Sequence, residues 1–160
     1  MKKYLLVTLL CFAVKVTYAQ SLSFGEMLNL TSMGTQQVHD FLLSKGFKQE
    51  GSQLFSGKPF EQYKSGRAAD KIEYVFVGAG TKTSNGNTMR DISYTTAQNS
   101  DLDNLLAQAK KSTLTLIFQG ADVSKNIFRF DNSLFRAAIS VAFDKKSGSV
   151  DVQQKENAGN

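Results

Sequence analysis

Apolar positions along the chain recur first at every third or fourth residue and later at every second. Met27, Leu28 and Leu30 give an apolar side to a short helix opened by Ser23-Phe24-Gly25-Glu26. There the Ser23 hydroxyl can accept an early backbone N–H while Glu26 reaches back to the cap. Val38, Phe41, Leu42 and Lys45 lie at helical spacing after a cap at Thr35, and Gly46 supplies the left-handed residue that ends this second helix. The period then becomes two. Ile72, Tyr74 and Phe76 share one strand face and Glu73, Val75 and Val77 the other, and residues 89–96 predict another strand. A third helix is capped by Ser100, has Asp101 and Asp103 in its first turn, and carries Leu102, Leu105, Leu106 and Ala109 at i, i+3, i+4 and i+7. Strands follow at 113–118, 127–130 and 134–144. Lys145-Lys146-Ser147-Gly148 predicts a hairpin loop with Gly148 at positive φ, and Val150 and Val152 begin a last strand. Pro59 belongs near a loop or sheet edge.

This order, with short turns between strands, predicts an α+β fold. A mainly antiparallel β-sheet carries two short N-terminal helices and one later helix packed on one face. One domain is expected over residues 20–152, with 153–160 a polar frayed tail. The segments "DFLLSKGFK" and "DNLLAQAKKS" echo each other, each a helix leading into strands.

The first nineteen residues stand apart. Lys2 and Lys3 precede a mostly apolar run from Tyr4 to Val16, and Thr17-Tyr18-Ala19 offers small residues before a cut. These are the parts of a signal peptide cleaved after Ala19, which predicts a secreted or periplasmic protein. The run is shorter than the roughly 20 residues of a spanning helix and Lys15 interrupts it, so no transmembrane segment is expected in the mature chain. Cys11 follows Leu10, where a lipid-attachment box wants a small residue. Removing Lys2, Lys3 and Lys15 takes the formal charge from +5 to +2. So small a charge gives no reason to expect nucleic acid, which needs clustered cations. Cys11 is the one cysteine, so the mature chain would have no disulfide, thiol nucleophile or thiolate ligand.

The stretch "YVFVGAGTKTSNGNTMRDISY", Tyr74 to Tyr94, suggests a phosphate loop, but its pattern fails. Thr81 separates Gly80 from Lys82, Val75 stands where the first glycine should be, and an alternating strand follows instead of a helix. Ser84-Asn85-Gly86-Asn87 is a hairpin signal. The stretch is a sheet corner.

Other candidate chemistry has plainer explanations. His39 beside Asp40 would need partners from elsewhere in the fold, since adjacent helix positions do not face each other; it suits a partly exposed helix position. One histidine without cysteine makes zinc a poor expectation. Asp101-x-Asp103-Asn104 lacks the closing Glu of a calcium loop, and helix capping accounts for it. Asn29-Leu30-Thr31 matches a glycosylation sequon inside a helix. No carboxylate pair is marked among 14 acids, and tryptophan is absent. No cofactor or metal is expected.

The candidate binding surface is the sheet face turned away from the helices. With Phe128, Phe130, Phe135, Ile139, Val141 and Phe143 inward, the outer face carries Arg129, Arg136, Ala138, Ser140 and Ala142, and neighbouring strands would add Glu73, Val75, Val77, Thr113, Thr115 and Ile117. Small residues such as Ser140 let a partner approach, and Arg129, Arg136 and Glu73 would set its register.

The opening "LSFGEMLNLTSMGTQQVHDFLLSKGF", through Met33-Gly34-Thr35-Gln36-Gln37-Val38 and Leu42-Leu43-Ser44-Lys45-Gly46, resembles the start of beta-lactamase-inhibitor-like modules and the related small outer-membrane assembly lipoproteins. The resemblance covers about a sixth of the chain. This chain departs from it in lacking a lipid-attachment cysteine and a disulfide, and in the third helix that splits its strands. The resemblance implies an extracytoplasmic, non-catalytic module whose open sheet face binds another protein. The expectation is therefore a secreted or periplasmic binding module without catalytic activity. An extracytoplasmic hydrolase with a non-contiguous site and a carrier of small apolar ligands are the alternatives.

Overall fold

The structure is a computed structural model that describes residues 22–55, 57–65, 71–144 and 146–156; the expected leader lies outside them. Among these residues the chain forms helices α1 (Phe24–Leu30), α2 (Thr35–Ser44) and α3 (Asn99–Lys111). The strands are β1 (Phe47–Phe55), β2 (Lys58–Ser65), β3 (Glu73–Gly78), β4 (Thr81–Lys82), β5 (Thr88–Met89), β6 (Asp91–Thr96), β7 (Thr115–Ala121), β8 (Lys125–Asp131), β9 (Phe135–Ala142) and β10 (Gly148–Gln154). Eight strands make one antiparallel sheet in the order β1-β2-β3-β6-β10-β9-β8-β7, and β4–β5 is a small ladder extending the β3–β6 hairpin. The α+β, mainly antiparallel fold expected from the periodicity is the fold observed.

The strand order is a palindrome in structure. A helix and four meandering strands (α2, β1, β2, β3, β6) are followed by a helix and four more (α3, β7–β10), and the fourth strands of the two sets pair with each other. The register agrees. One line of paired residues runs Gln49, Tyr63, Val75, Tyr94, Val150, Ile139, Phe128, Gln119 across all eight strands. A two-fold axis between Tyr94 and Val150 maps this line onto itself. It maps the pair Val77–Ile92 onto Val141–Gly148. The two helices do not share the axis, since α2 packs on β1 and α3 on β6, β9 and β10.

The line lies on the helix-covered face. Val75, Val77, Ile92, Tyr94, Ile139, Val150 and Val152 are buried there under Leu22, Phe24, Met27, Leu42, Leu102 and Leu105. α3 packs over β6, β9 and β10, α1 against α3 and β10, and α2 against β1. Alternate strand positions face solvent, as the burial of β6 and β9 shows residue by residue.

Local signals held at α1, where Glu26 N–H donates to Ser23 Oγ at 3.2 Å and Ser23 N–H to Glu26 Oε2 at 2.8 Å. Several boundaries moved. Thr35 is the first residue of α2 and Gly34 its cap, and α3 begins at Asn99 behind Gln98. Gly148 is not at positive φ. It opens β10, where an added Cβ would lie 2.3 Å from Ser140 O and 2.6 Å from Leu102 Cδ1. β10 continues to Gln154, and Lys155 N–H donates to Leu134 O at 2.8 Å, so the tail is ordered further than its polarity suggested. Phe143 is exposed rather than inward.

Candidate functional site

The solvent face of the sheet differs from one half to the other. In the first half it carries an aromatic cluster. The Phe55 ring meets Phe60 and Phe76 edge-on, with centroids 5.4 and 5.1 Å apart, and Tyr74 stacks on Phe76 at 6.1 Å. Lys64 Nζ lies 5.8 Å from the Tyr74 ring centre. The second half presents Ala138, Ser140 and Ala142, flanked by Arg129 lying 5.4 Å from the Phe118 ring centre. A groove of about 580 Å³ crosses this face at one end of the sheet, with Tyr74, Thr95, Lys125, Ser140 and Ser149 among its walls.

Of the four residues the sequence marked, three share this face. Arg129 and Arg136 are exposed on it, and Ser140 lines the groove. Arg136 sits across from Asp131, whose carboxyl is held below its ordinary value by Lys155 first, with Arg136 adding to the effect. Glu73 is not with them. It is 1% exposed on the helix side with Val75 and Val77, near the buried Tyr94 hydroxyl. The outward residues of β3 are Tyr74 and Phe76. Both faces of β3 are apolar, so alternation identified the strand without telling its faces apart.

A second cluster lies on the helix side of the first half. The Tyr63 hydroxyl donates to Glu61 Oε2 at 3.0 Å, which leaves its oxygen to accept from His39 Nδ1 at 3.2 Å. Burial first, then the Glu61 charge, pushes the Tyr63 phenol well above its usual value. Nearby, Arg90 is 4% exposed. Its backbone N–H donates to Thr31 O at 3.0 Å and its Nη2 to Thr35 Oγ1 at 3.3 Å, while Nε has no partner among the described residues. Burial lowers the pKa of this guanidinium, against the opposing charge of Glu61. Gly80 makes room for it, since a Cβ there would stand 2.8 Å from Arg90 Nη2. His39 is thus tied to a buried phenol rather than to Asp40, which accepts from Gln36. The hairpin signal at 84–87 is correct, with Gly86 at φ 77°, and pairing Thr81 with Met89 brings Gly80 opposite Arg90. Arg90 could have been found from that register.

Among the described residues no three His, Cys, Asp or Glu side chains are grouped to hold a metal ion, and no helix is long and apolar enough to cross a membrane. The fold and its uncovered face define an α+β sheet domain. No protein-family model, curated protein or solved structure matches the chain.

Proposed function

We propose that the chain is an extracytoplasmic, non-catalytic binding module that holds a partner protein against the uncovered face of its sheet. The observation that carries this reading is the aromatic cluster of Phe55, Phe60, Tyr74 and Phe76 on a face that none of the described helices covers. Grouped aromatics at a surface supply large contact area and are the residues on which binding energy concentrates. Beside them, Ala138, Ser140 and Ala142 let a partner approach closely, and Arg129 and Arg136 supply charges that fix its register. The basic start and apolar run of residues 2–16 support export. The resemblance of residues 22–47 to modules that bind proteins through an open sheet supports the same mode.

The test uses the secreted chain as bait against an extract of the source cell's envelope, beside Phe55→Glu and an Arg129→Glu/Arg136→Glu double variant. Loss of a specific partner with both variants, at unchanged far-ultraviolet circular dichroism, is the expected outcome. Phe55→Glu should cost at least about 2 kcal/mol of binding, the scale of an interface hot spot. A partner held equally well by all three proteins would contradict the sheet face as the binding surface.

A further inference from the structure

We propose that the cleft around Arg90 is a second binding site, which meets the uncovered sheet face only at Phe60 and takes the carboxylate of a small organic monoanion. The cleft lies where β2, β3 and β6 meet the start of α2. Thr35, Ser52 and Glu61 wall it on one side of the guanidinium, enclosing about 440 Å³. Lys58 and Asp91 stand on the other side, around a further 430 Å³. Pro59 and Phe60 are common to both.

Three observations carry the assignment. Arg90 is almost wholly buried, lines both parts of the cleft, and keeps an Nε–H with no partner among the described residues. Buried donors are nearly always satisfied, so an unpaired one on a guanidinium that lines a cleft marks a place for an acceptor. The start of α2, a ten-residue helix, forms the wall beside it, and its cap Gly34 has no side chain to receive the first-turn N–H groups. The positive end of that helix dipole adds to the guanidinium charge. Finally, the second half serves as an internal control. At the two-fold positions of Tyr63 and Glu61 it has Phe128 and Asn126. The same backbone plan therefore stands without the Tyr63–Glu61 pair.

The ligand class follows from the charges. A carboxylate matches the guanidinium fork and can take the free Nε–H together with an Nη–H. Glu61 acts directly on the guanidinium and opposes a doubly charged phosphate more strongly than a monoanion, while Lys58 and Asp91 in the other part of the cleft offset each other. Pro59, Phe60 and Ala79 give an apolar body a surface to rest on, and the volume suits a small ligand.

The test is a titration of ¹⁵N-labelled protein with hexanoate, benzoate, hexanol and inorganic phosphate, observing the Arg90 Nε–H resonance. Hexanoate or benzoate should move it saturably, while hexanol and phosphate leave it in place. Glu61→Gln, which removes the competing charge, should bind the carboxylate roughly threefold to tenfold tighter, and Arg90→Met should not bind it. A resonance unmoved by either carboxylate, saturation by phosphate alone, or a folded Arg90→Met protein that binds as wild type does would each overturn the proposal. If Arg90→Met does not fold, the Glu61→Gln arm decides, and affinity that is unchanged or weaker overturns it.

Discussion

The two halves of the sheet solve one packing problem with different residues. Around the axis between Tyr94 and Val150, each places a helix before four antiparallel strands and buries alternate side chains of those strands. The second half does so with apolar groups, Phe128 and Phe130 in β8 and Ala137 and Ile139 in β9. The first half buries Tyr63 and Arg90 and ties them to Glu61, His39 and Thr35. On the solvent face the contrast reverses: the first half is aromatic and the second small and hydroxylated. The comparison separates what the fold requires from what it only tolerates. Alternation and the shared central pair are common to both halves, whereas the polar cluster and the aromatic face belong to one.

The edges differ as well. Each outer strand carries a bulge, at Glu50 in β1 and Ile117 in β7. β1 also sets Lys48 and Glu50 on its rim, while β7 runs Thr115–Ala121 without a charge and exposes Leu116, Ile117 and Phe118. A neutral apolar edge lacks the usual guard against pairing with other strands.

The largest expected effect comes from breaking what the halves share. Tyr94→Ala opens a cavity at the axis and should cost about 3–5 kcal/mol. Urea unfolding followed by probes in each half should give coincident, equally shifted transitions. Unequal shifts would mean the halves are not one cooperative unit.

Positions related by the axis but filled differently sharpen the comparison. Ile92 and Gly148 are equivalents, yet Leu102 fills the space that a side chain at 148 would need. Gly148→Ala, a gain of one carbon, should destabilise by roughly 1–3 kcal/mol through overpacking. Its chemical denaturation midpoint is the check.

Alkali separates the halves by chemistry. Burial first, with Glu61 adding at Tyr63 and Glu73 at Tyr94, raises both phenols above the ordinary value of 10.0. The folded chain holds these protons more tightly, so their contribution is whole below about pH 10 and is lost as pH rises further. Each group can add a slope of up to about 1.4 kcal/mol per pH unit. Tyr63→Phe, which installs the second half's residue type, should flatten the alkaline limb of a stability–pH curve by about one group's share. An unchanged limb would contradict the buried-phenol account.

The smallest effect is at α1. Desolvation opposes ionisation of Glu26, but the Lys45 ion pair and the Ser23 cap outweigh it and lower its pKa from 4.5. A lowered carboxyl stabilises above its unfolded value, and that contribution fades as pH falls through the folded one. Because the pair is partly exposed, Glu26→Gln should cost under about 1 kcal/mol at neutral pH. As pH falls below 4.5 the thermal midpoints of variant and wild type should converge.

Much of this architecture was legible in the chain. The apolar stripe of α3 and the alternation in β3, β6 and β9 fixed element types because each element buries one regular set of positions. β1 and β2 were not foreseen. All of β1 after Phe47 is exposed, so an edge strand wetted on both sides shows no period. Glu73 was set on the wrong face because Ile72, Tyr74 and Phe76 are as apolar as Val75 and Val77. The two-fold strand pattern left no repeated residues, since Tyr94 and Val150 share burial without sharing identity and the buried Tyr63 answers to a half-buried Phe128. Arg129, Arg136 and Ser140 were placed together by strand parity alone. Arg90 escaped because its surroundings come from α2, β2 and a hairpin far apart in sequence.

The central claim is that the polar cluster of the first half serves binding and not folding. The most direct test is the triple variant Glu61→Asn/Tyr63→Phe/Arg90→Met, which gives β2 the residues that β8 carries at the two-fold positions and removes the guanidinium. Its urea unfolding and its response to hexanoate would be measured together. The account predicts a folded protein within about 1 kcal/mol of wild type, because the charged and phenolic partners are removed together and neither Glu61 nor Arg90 is left as an unpaired charge, and no response to the carboxylate. A variant that fails to fold, or that loses more than about 3 kcal/mol, would show that the cluster holds the fold and would contradict the claim.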